Sequence, residues 1–513
     1  MAGSPAPMSE SPAPMPGTVR IVRNDWSPLR VPGLGRWRPT RTVSVVVPAH
    51  ECQSTLDLTL AALARQTYPA HLLEVVVVDD GSRPPLELPK IRPEHCRLVR
   101  VSGGWGRANA LRLGAERSDG EIIHWLDADM VTYPEHVEAQ ARWHHELGYA
   151  VTLGWKRFVD GPWPSADEVA DACGEGRADR LFAGRRVERH EFVEGVIART
   201  DQLRAADHLA FMVHAGATAA LRRELYEAAG GMDPRLRLGE DTELGYRLAQ
   251  AGAVFIPEQQ ARSWHLGSTH MMRHRAALQR YNRPFLADRM PLPRWLRDTG
   301  GAGTVPLVTA VVRADGQALE PVRATVDSLL RSEERDVRVL LVGPWSTLTD
   351  QRVAVLADPQ LDLRLLAATY GSDPRVRLAG REPDSIFPSP YLLRVPAGHP
   401  LAPAAVRRLV EYADRERLGL VRSGDGVELW RTAAVGRAAW VRRDGEALAD
   451  VVSEVYGAGA PAGDLAARWL PASVEVAGVR SLARATRVVG RLAARRGGAR
   501  LRRLARARGR WRA

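Results

Sequence analysis

The sequence has few cysteines, no long apolar run and no acidic residue near its carboxyl-terminal end. Its three cysteines, Cys52, Cys96 and Cys173, share no metal-ligand spacing and form no even-numbered set, so they favour a reduced, cytosolic setting. No run of about eighteen apolar residues occurs, which argues against a membrane-spanning helix. Residues 1–17 lack the basic start and apolar core of a signal peptide and are predicted to be a disordered lead-in.

Positive charge is concentrated in a carboxyl-terminal tail. Residues 477–513 contain thirteen arginines and no acidic residue, and because the whole chain carries a formal net charge of +12, the rest is close to neutral. Apolar side chains such as Leu482, Val488 and Leu492 are interspersed among these arginines. The favoured interpretation is a basic amphipathic helix on an anionic membrane surface; a solvated, unstructured arm and a nucleic-acid-binding arm are the alternatives.

The remaining sequence begins with a strand, a helix and a second strand. At 513 residues the chain is long enough for two or three domains. Residues 43–47 and 73–78 are nearly all-apolar strands typical of a parallel sheet that is covered on both faces, and residues 56–64 between them have helical periodicity. Polar residues follow the strands, as in Asp79-Asp80-Gly81-Ser82. This pattern predicts a nucleotide-binding α/β sheet.

A pair of carboxylates stands where a further strand is expected to end. Residues 121–126 are β-favouring and follow a turn, and Asp127-Ala128-Asp129 comes directly afterwards. Side chains two apart in an extended chain share a face, which here looks into the crevice where open α/β sheets bind ligands. Two such oxygen ligands suit Mg²⁺ or Mn²⁺ carrying a diphosphate, although the motif alone is also frequent in solvated loops.

Three other segments are predicted to line this crevice or to cover it. The turn at residues 103–109, which includes Arg107 and Asn109, opens a helix whose first amides favour a phosphate or a sugar hydroxyl. Residues 155–195 are predicted to be an irregular, substrate-covering insertion. Glu240 and Asp241 stand at the amino-terminal end of a helix predicted over residues 242–252. Favourable interaction with the helix dipole explains one acid at this position but does not require two.

These segments, in this order, resemble the bacterial family 2 glycosyltransferases of GT-A fold over residues 43–283. The resemblance rests on five motifs: Val46-Val47-Pro48, Val76-Val77-Val78-Asp79-Asp80-Gly81-Ser82, Asp127-Ala128-Asp129, Gly230-Gly231-Met232-Asp233 and Gly239-Glu240-Asp241-Thr242-Glu243-Leu244-Gly245-Tyr246-Arg247-Leu248. It implies a Rossmann-like mixed α/β sheet that binds a nucleotide-diphospho-sugar.

The resemblance also implies residue roles on the donor side. Asp80 resembles the acid that hydrogen-bonds the nucleobase, usually uracil, with Pro48 and His50 lining the base pocket. Asp127 resembles the acid that holds the ribose or a metal-bound water. Asp129 resembles the direct ligand of the Mn²⁺ or Mg²⁺ ion on the diphosphate.

On the acceptor side, Asp241 stands where the family keeps its catalytic base, with Glu240 beside it. His265 resembles an additional metal ligand found in some relatives. One acid for the metal and a separate acid for the proton is the arrangement that sugar transfer to a hydroxyl needs.

The second half is predicted to repeat the fold without its polar residues. Residues 308–312, 339–344 and 391–398 match the apolar patterns of the strands before Pro48, Asp80 and Asp129. The carboxylates are replaced: Asp79 and Asp80 correspond to Gly343 and Pro344, and Asp127 and Asp129 correspond to Pro396 and Gly398. We expect an inactive GT-A-like domain; a generic α/β domain with similar strands is the alternative.

The predicted order is a disordered lead-in and short amino-terminal extension with a hairpin (1–42), a catalytic domain (43–290), a linker (291–304), a smaller degenerate α/β domain (305–475) and a basic helical tail (476–513). The implied function is an inverting, metal-dependent glycosyltransferase of hexosyltransferase type. It would move a sugar from a UDP-sugar to a cell-surface glycan or lipid-linked acceptor, peripherally at the cytoplasmic membrane face.

Two alternative functions stay open. A nucleotidyltransferase of the same fold would need a Gly-rich basic loop after the first strand, and Ala49-His50-Glu51-Cys52 contains no glycine and no basic run. A non-catalytic scaffold with a vestigial sugar-nucleotide site would bind a membrane or nucleic acid through the tail.

Overall fold

The computed structural model describes residues 19–297 and 303–461, which belong to one compact unit with two mixed sheets. The predicted lead-in at residues 1–17 and the basic tail lie outside the described residues. Within the described ranges, no helix has both the length and the apolar character needed to cross a bilayer.

The first sheet has nine strands, and eight helices accompany it among the described residues. The strands are Val43–Ala49 (β1), Leu73–Asp79 (β2), Cys96–Arg100 (β3), Ile122–Leu126 (β4), Met130–Thr132 (β5), Ala150–Val159 (β6), Val187–Glu188 (β7), Thr218–Arg222 (β8) and Val254–Leu266 (β9). The helices are Gln53–Leu63 (α1), Arg107–Glu116 (α2), His136–Glu146 (α3), Ala166–Gly174 (α4), Glu191–Arg199 (α5), Arg223–Ala228 (α6), Glu240–Gln250 (α7) and His270–Arg289 (α8). The strand order is β3-β2-β1-β4-β8-β6-β9-β5, and β7 pairs with β6.

Parallel pairing of the apolar strands gathers the polar strand ends at one edge. Strand β1 pairs in parallel with both β2 and β4, and its valines are buried on both faces of the sheet. The carboxyl ends of these three strands therefore lie side by side. Beyond β4 the pairing is antiparallel, through β8 and then β6. The mixed α/β fold predicted from the sequence is confirmed.

The second sheet has seven strands and is accompanied by five helices of the described chain. The strands are Val308–Arg313 (β10), Val337–Val342 (β11), Val376–Ala379 (β12), Tyr391–Arg394 (β13), Leu420–Arg422 (β14), Glu428–Arg431 (β15) and Ala458–Gly459 (β16). The helices are Leu319–Leu330 (α9), Leu361–Tyr370 (α10), Ala405–Arg415 (α11), Thr432–Val441 (α12) and Leu448–Tyr456 (α13). The strand order is β12-β11-β10-β13-β15-β14-β16.

The two sheets have the same topology once the short strands β5 and β7 are set aside. Counted along the chain, each sheet runs third, second, first, fourth, sixth, fifth, seventh. The pairing directions also agree: β13 pairs antiparallel with β15, β15 antiparallel with β14, and β14 parallel with β16, as do β4, β8, β6 and β9. The second half thus repeats the strand order of the first, and its inactivity stays a prediction.

Residues 19–42 form no hairpin, contrary to the expectation from their sequence. Their backbone and side chains bond to distant segments instead: Arg23 N donates to Val455 O, and Asn24 Nδ2 donates to Leu203 O and Phe255 O. The segment therefore fills the seam between the two halves.

The described part of the predicted linker is also packed, since Leu292 and Leu296 are buried.

Residues 155–195 are more regular than expected. They contain the second half of β6, the helix α4, the strand β7 and the start of α5. Ser165 caps α4 in a reciprocal arrangement with Glu168. Opposite Gly154 and Trp155 of β6, residues 259–261 of β9 bulge out of the pairing, which shifts the register between the two strands.

A buried arginine joins the two halves. Arg437, at 0% exposure, donates from Nη1 to Ile21 O and Arg23 O, from Nη2 to Ala253 O, and from Nε to Gly252 O. The contact needs a neighbouring glycine, because a Cβ at Gly436 would lie 2.5 Å from the Gln250 carbonyl oxygen.

Replacing Arg437 by methionine is expected to lower the free energy of unfolding by about 3 kcal/mol, since several buried carbonyl groups lose their donors. Urea unfolding of the whole chain measures this. The control is Arg442→Met, which replaces an exposed arginine directly after the same helix. Its free energy of unfolding should stay within about 0.5 kcal/mol of that of the parent protein. Equal midpoints for the two variants would contradict the role given to Arg437.

Several histidines of the first half are buried in their neutral form. Burial lowers the pKa of His136 and His190 to about 4 and that of His144 to about 3. His136 donates from Nδ1 to Arg262 O, and its Nε2 lies 2.8 Å from Thr218 Oγ1. No carboxylate is among the hydrogen-bond partners of the His136 ring within the described chain.

The free energy of unfolding should therefore fall as the pH drops from about 6.5 towards 4. In this window the unfolded imidazoles bind protons while the folded ones do not, so each contributes up to about 1.4 kcal/mol per pH unit. Urea titrations at several pH values measure the slope, and His136→Asn should make it shallower. A slope that is the same in both proteins would contradict the neutral, buried state of His136.

Candidate active site

The carboxylates predicted at the ends of β2 and β4 lie at the same edge of the first sheet. Asp80 follows β2, and Asp127 and Asp129 follow β4. The amide of Asp127 donates to Ala217 O, and Asp129 O accepts from Leu266 N, which brings the end of β9 beside this loop. The neighbouring residue on β9 is His265, so four predicted site residues share one region.

Asp127, Asp129 and His265 form a group of potential metal ligands whose ligand atoms all lie within 4.8 Å of one another. The distance from Asp129 Oδ1 to His265 Nε2 is 3.7 Å. His265 donates from Nδ1 to Gly267 O at 3.0 Å, which fixes the tautomer that leaves Nε2 free to coordinate.

The donor set fits a divalent cation. Asp129 Oδ1 is buried and accepts no hydrogen bond from any described group, a costly state for a carboxylate oxygen without a ligand. Burial raises the pKa of Asp129, and His265 opposes this rise. Two carboxylates and one imidazole suit Mn²⁺ or Mg²⁺, so these residues would hold the predicted metal.

Arg107 links the metal-ligand group to the acidic start of α7. Its guanidinium donates to Asp127 Oδ1 from Nη2 at 2.6 Å and to Glu240 Oε1 from Nη1 at 2.7 Å. A third bond joins Nη2 to Gly216 O. Burial acts to lower the pKa of Arg107, but the two carboxylates outweigh it and raise the pKa above its usual value. The turn that includes Arg107 was predicted to favour a phosphate or a sugar hydroxyl; in the structure the Arg107 side chain contacts the carboxylates of Asp127 and Glu240.

The two acids of α7 have different surroundings. Glu240 is buried against Arg107, and burial raises its pKa while Arg107 opposes the rise. Asp241 is half-buried, and its carboxylate accepts from the amides of Thr242 at 2.7 Å and Gly216 at 3.2 Å. Of the two predicted catalytic residues, Asp241 is thus the one whose carboxylate can meet a substrate hydroxyl, and Glu240 supports Arg107.

The predicted nucleotide-binding residues lie around the ends of β1 and β2. Asp80 Oδ2 accepts from the amide of Gly106, while Asp80 Oδ1 is buried and has no partner in the described part of the chain. Pro48 is half-buried and His50 is exposed beside it. The free acceptor on Asp80 can take an N–H donor, which a pyrimidine base provides.

Asn109 stabilises the Gly-rich turn and does not face an open ligand-binding surface. It is buried, and its Nδ2 donates to Gly103 O, which closes the Gly-rich turn before α2. The adjacent acid Asp79 is also internal, because its carboxylate accepts from the amides of Ser82 and Leu86. Asp79 therefore holds the turn that presents Asp80.

Lys156 on β6 was not found from the sequence. Its side chain is buried, and no hydrogen bond or ion pair engages the ammonium among residues 19–297 and 303–461. Burial lowers the pKa of Lys156, and the nearby carboxylates of Asp127 and Asp241 oppose this. A small cavity of about 20 Å³ lies beside it, lined also by His190 and Glu194.

The second sheet has no such acids at the matching positions. The register of β13 on β10, Val308 opposite Tyr391, corresponds to that of β4 on β1, Val43 opposite Ile122. Counting along the strands from these pairs places Pro396 and Gly398 at the positions of Asp127 and Asp129. Among the described residues, the metal-ligand group of the first sheet is the one such group found.

The first half of this chain is similar to known glycosyltransferases. The family model for glycosyl transferase family 2 matches residues 44–228. A validoxylamine A glucosyltransferase of Streptomyces hygroscopicus subsp. limoneus is 27% identical over 281 residues, which cover 51% of this chain and 60% of the relative. The human dolichyl-phosphate beta-glucosyltransferase is 31% identical over 150 residues, or 26% of this chain and 41% of the relative.

The aligned region thus spans less than two thirds of these relatives' own length. Among solved structures, GalNAc-T7 with UDP, GalNAc and Mn²⁺ is similar over 50% of this chain and 54% of that chain, with a TM-score of 0.32 and 18% identity. Residues 44–228, which include Asp80, Asp127 and Asp129, are thus similar to glycosyl transferase family 2.

Proposed function

We propose that this chain is an inverting, metal-dependent glycosyltransferase that moves a hexose from a UDP-sugar to an acceptor hydroxyl. The observation that carries the proposal is the continuous set of contacts from the metal-ligand group through Arg107 to the start of α7. These contacts support the proposal because the chemistry requires potential cation ligands and a carboxylate that can accept a proton, here the half-buried Asp241, in one region.

Each residue has a distinct task in this proposal. Asp127, Asp129 and His265 hold a Mn²⁺ or Mg²⁺ ion, which would neutralise the charge that develops on the departing diphosphate. Asp80 accepts a hydrogen bond from the nucleobase through its free Oδ1. Arg107 orients the carboxylates of Asp127 and Glu240. Asp241 accepts the proton of the attacking hydroxyl, and direct attack by that hydroxyl inverts the anomeric carbon.

The proposed acceptor is a cell-surface glycan or a lipid-linked molecule at the cytoplasmic membrane face. Support comes from the arginine-rich sequence of residues 477–513, which suits an anionic surface, and from a relative named for transfer to dolichyl phosphate. Co-sedimentation with vesicles that contain phosphatidylserine, but not with neutral vesicles, tests this placement. We further propose that the second half is a non-catalytic copy of the first.

A donor panel tests the activity directly. The full chain is incubated with UDP-, GDP- and dTDP-sugars and Mn²⁺, and the released nucleoside diphosphate is measured. We expect release from UDP-sugars, and loss of this release with EDTA. Release of pyrophosphate from a nucleoside triphosphate and a sugar phosphate would identify a nucleotidyltransferase instead. Absence of turnover and of nucleotide binding would favour the non-catalytic alternative.

A further inference from the structure

A second cavity lies where the amino-terminal extension meets both halves, and we call it the junction cavity. It measures about 50 Å³, room for about four water molecules. Its walls come from residues 23–24, from residues 206–211 and the end of α7, and from residues 417, 431 and 456 of the second half. None of the predicted donor, metal or catalytic residues lines it.

Most of the wall is apolar, with one unsatisfied amide. Phe211, Phe255 and Leu292 contribute apolar surface. Gln250 also lines the cavity, is 4% exposed, and has a buried Oε1 that meets no partner within the described chain. No hydrogen bond between described residues engages the Gln250 Nε2 either. The Nε2 group is therefore free to donate to an acceptor in the cavity, whereas the Oε1 atom could be satisfied only by a hydrogen-bond donor.

The charged side chains of the cavity leave an excess of positive charge. Arg431 is paired with Asp414 at 2.9 Å, and Asp207 accepts from the amide of Leu209. Arg23 and Arg417, by contrast, have no carboxylate partner among the described residues. The Arg23 guanidinium reaches only two backbone carbonyls, at 3.4 and 3.5 Å.

The surroundings of Arg23 disfavour its charge. Burial lowers the pKa of Arg23, and the positive charges of Arg417 and Arg431 lower it further. Arg417 has a left-handed backbone conformation with φ of 57° because it follows the end of α11, where the Leu418 amide donates to Ala413 O. An anion between the two guanidinium groups would relieve this repulsion.

We propose that the junction cavity binds a small organic oxyanion. Arg23 and Arg417 hold its carboxylate or phosphate group, the Gln250 amide donates a further hydrogen bond, and a short apolar body packs on Phe211 and Phe255. Because the walls belong to both halves, the ligand bridges them and stabilises their junction. The site does not depend on sugar transfer.

The test is calorimetric titration of the full chain, in EDTA, with inorganic phosphate, butyrate and butyl phosphate. We expect one saturable site per chain for butyrate, for butyl phosphate or for both, and weaker binding of inorganic phosphate. Stronger butyrate binding identifies a carboxylate ligand, and stronger butyl phosphate binding identifies a phosphate ester. Arg417→Asn, which keeps a residue that tolerates positive φ, should weaken binding at least about tenfold.

Arg415→Gln is the matched control, since this exposed arginine lies two residues away and does not line the cavity. Arg415→Gln should bind these anions as tightly as the parent protein does. Anions attracted to the basic tail bind equally to both proteins, so this control corrects for them. Gln250→Leu should also weaken binding, while Asp129→Ala should leave it unchanged. Absence of saturable binding by the parent protein would overturn the proposal. Equal affinity of Arg417→Asn and Arg415→Gln would overturn it too.

Discussion

Asp129→Ala is expected to reduce nucleotide-sugar turnover by about a thousandfold. Asp129 provides a buried carboxylate oxygen that no described group satisfies, next to Asp127 and His265. Its loss removes a central ligand of the cation, and charge stabilisation of the leaving diphosphate amounts to several kcal/mol, about 1.4 kcal/mol for each tenfold in rate. Initial rates of UDP release over a range of Mn²⁺ concentrations measure the effect.

Asp119→Ala serves as the control, because this exposed acid precedes the same strand at its opposite end. Its rate should equal that of the parent protein. If high Mn²⁺ restores part of the Asp129→Ala rate, the defect lies in metal binding. Full activity of Asp129→Ala would remove the residue from the metal site.

Asp241→Asn is expected to lower the rate of transfer by about 10²- to 10⁴-fold, the usual contribution of a general base. The amide is nearly isosteric with the carboxylate but cannot accept the hydroxyl proton. The affinity for the nucleotide sugar should change little, because the donor contacts lie on Asp80 and the metal ligands. The kcat for transfer and the Kd for the donor, measured separately, show this split.

Asp450→Asn is the matched control for Asp241. It is an exposed acid in the first turn of α13, the helix that precedes the last strand of the second sheet as α7 precedes β9. It should leave transfer unchanged, as expected if the second half is not catalytic. A kcat for Asp241→Asn equal to that of the parent protein would require a different base.

The sequence was sufficient for the fold and for the positions of most predicted site residues within it, because both depend on local patterns. Valine runs followed by acids indicated parallel strands whose ends meet, and Asp80, Asp127 and Asp129 are found at those ends. The apolar patterns after residue 305 likewise correspond to a sheet with the strand order of the first. The acids of α7 were correctly placed at a helix start.

The rest depended on contacts between distant segments. Sequence order does not show that the Arg107 guanidinium lies between Asp127 and Glu240, which are far apart along the chain. Nor does it show that the Lys156 side chain is buried near the carboxylates of Asp127 and Asp241, which lie on other segments. Residues 19–42 were misjudged as a hairpin because their partners, such as Val455 and Arg437, lie over four hundred residues away.

The central claim is that Asp127, Asp129 and His265 bind one divalent cation together with the diphosphate of the donor. Electron paramagnetic resonance titration of Mn²⁺ in the presence of UDP tests it most directly. The account predicts one bound Mn²⁺ per chain, with binding that UDP strengthens and Asp129→Ala abolishes. Mn²⁺ binding that is unaffected by both UDP and Asp129→Ala would contradict it.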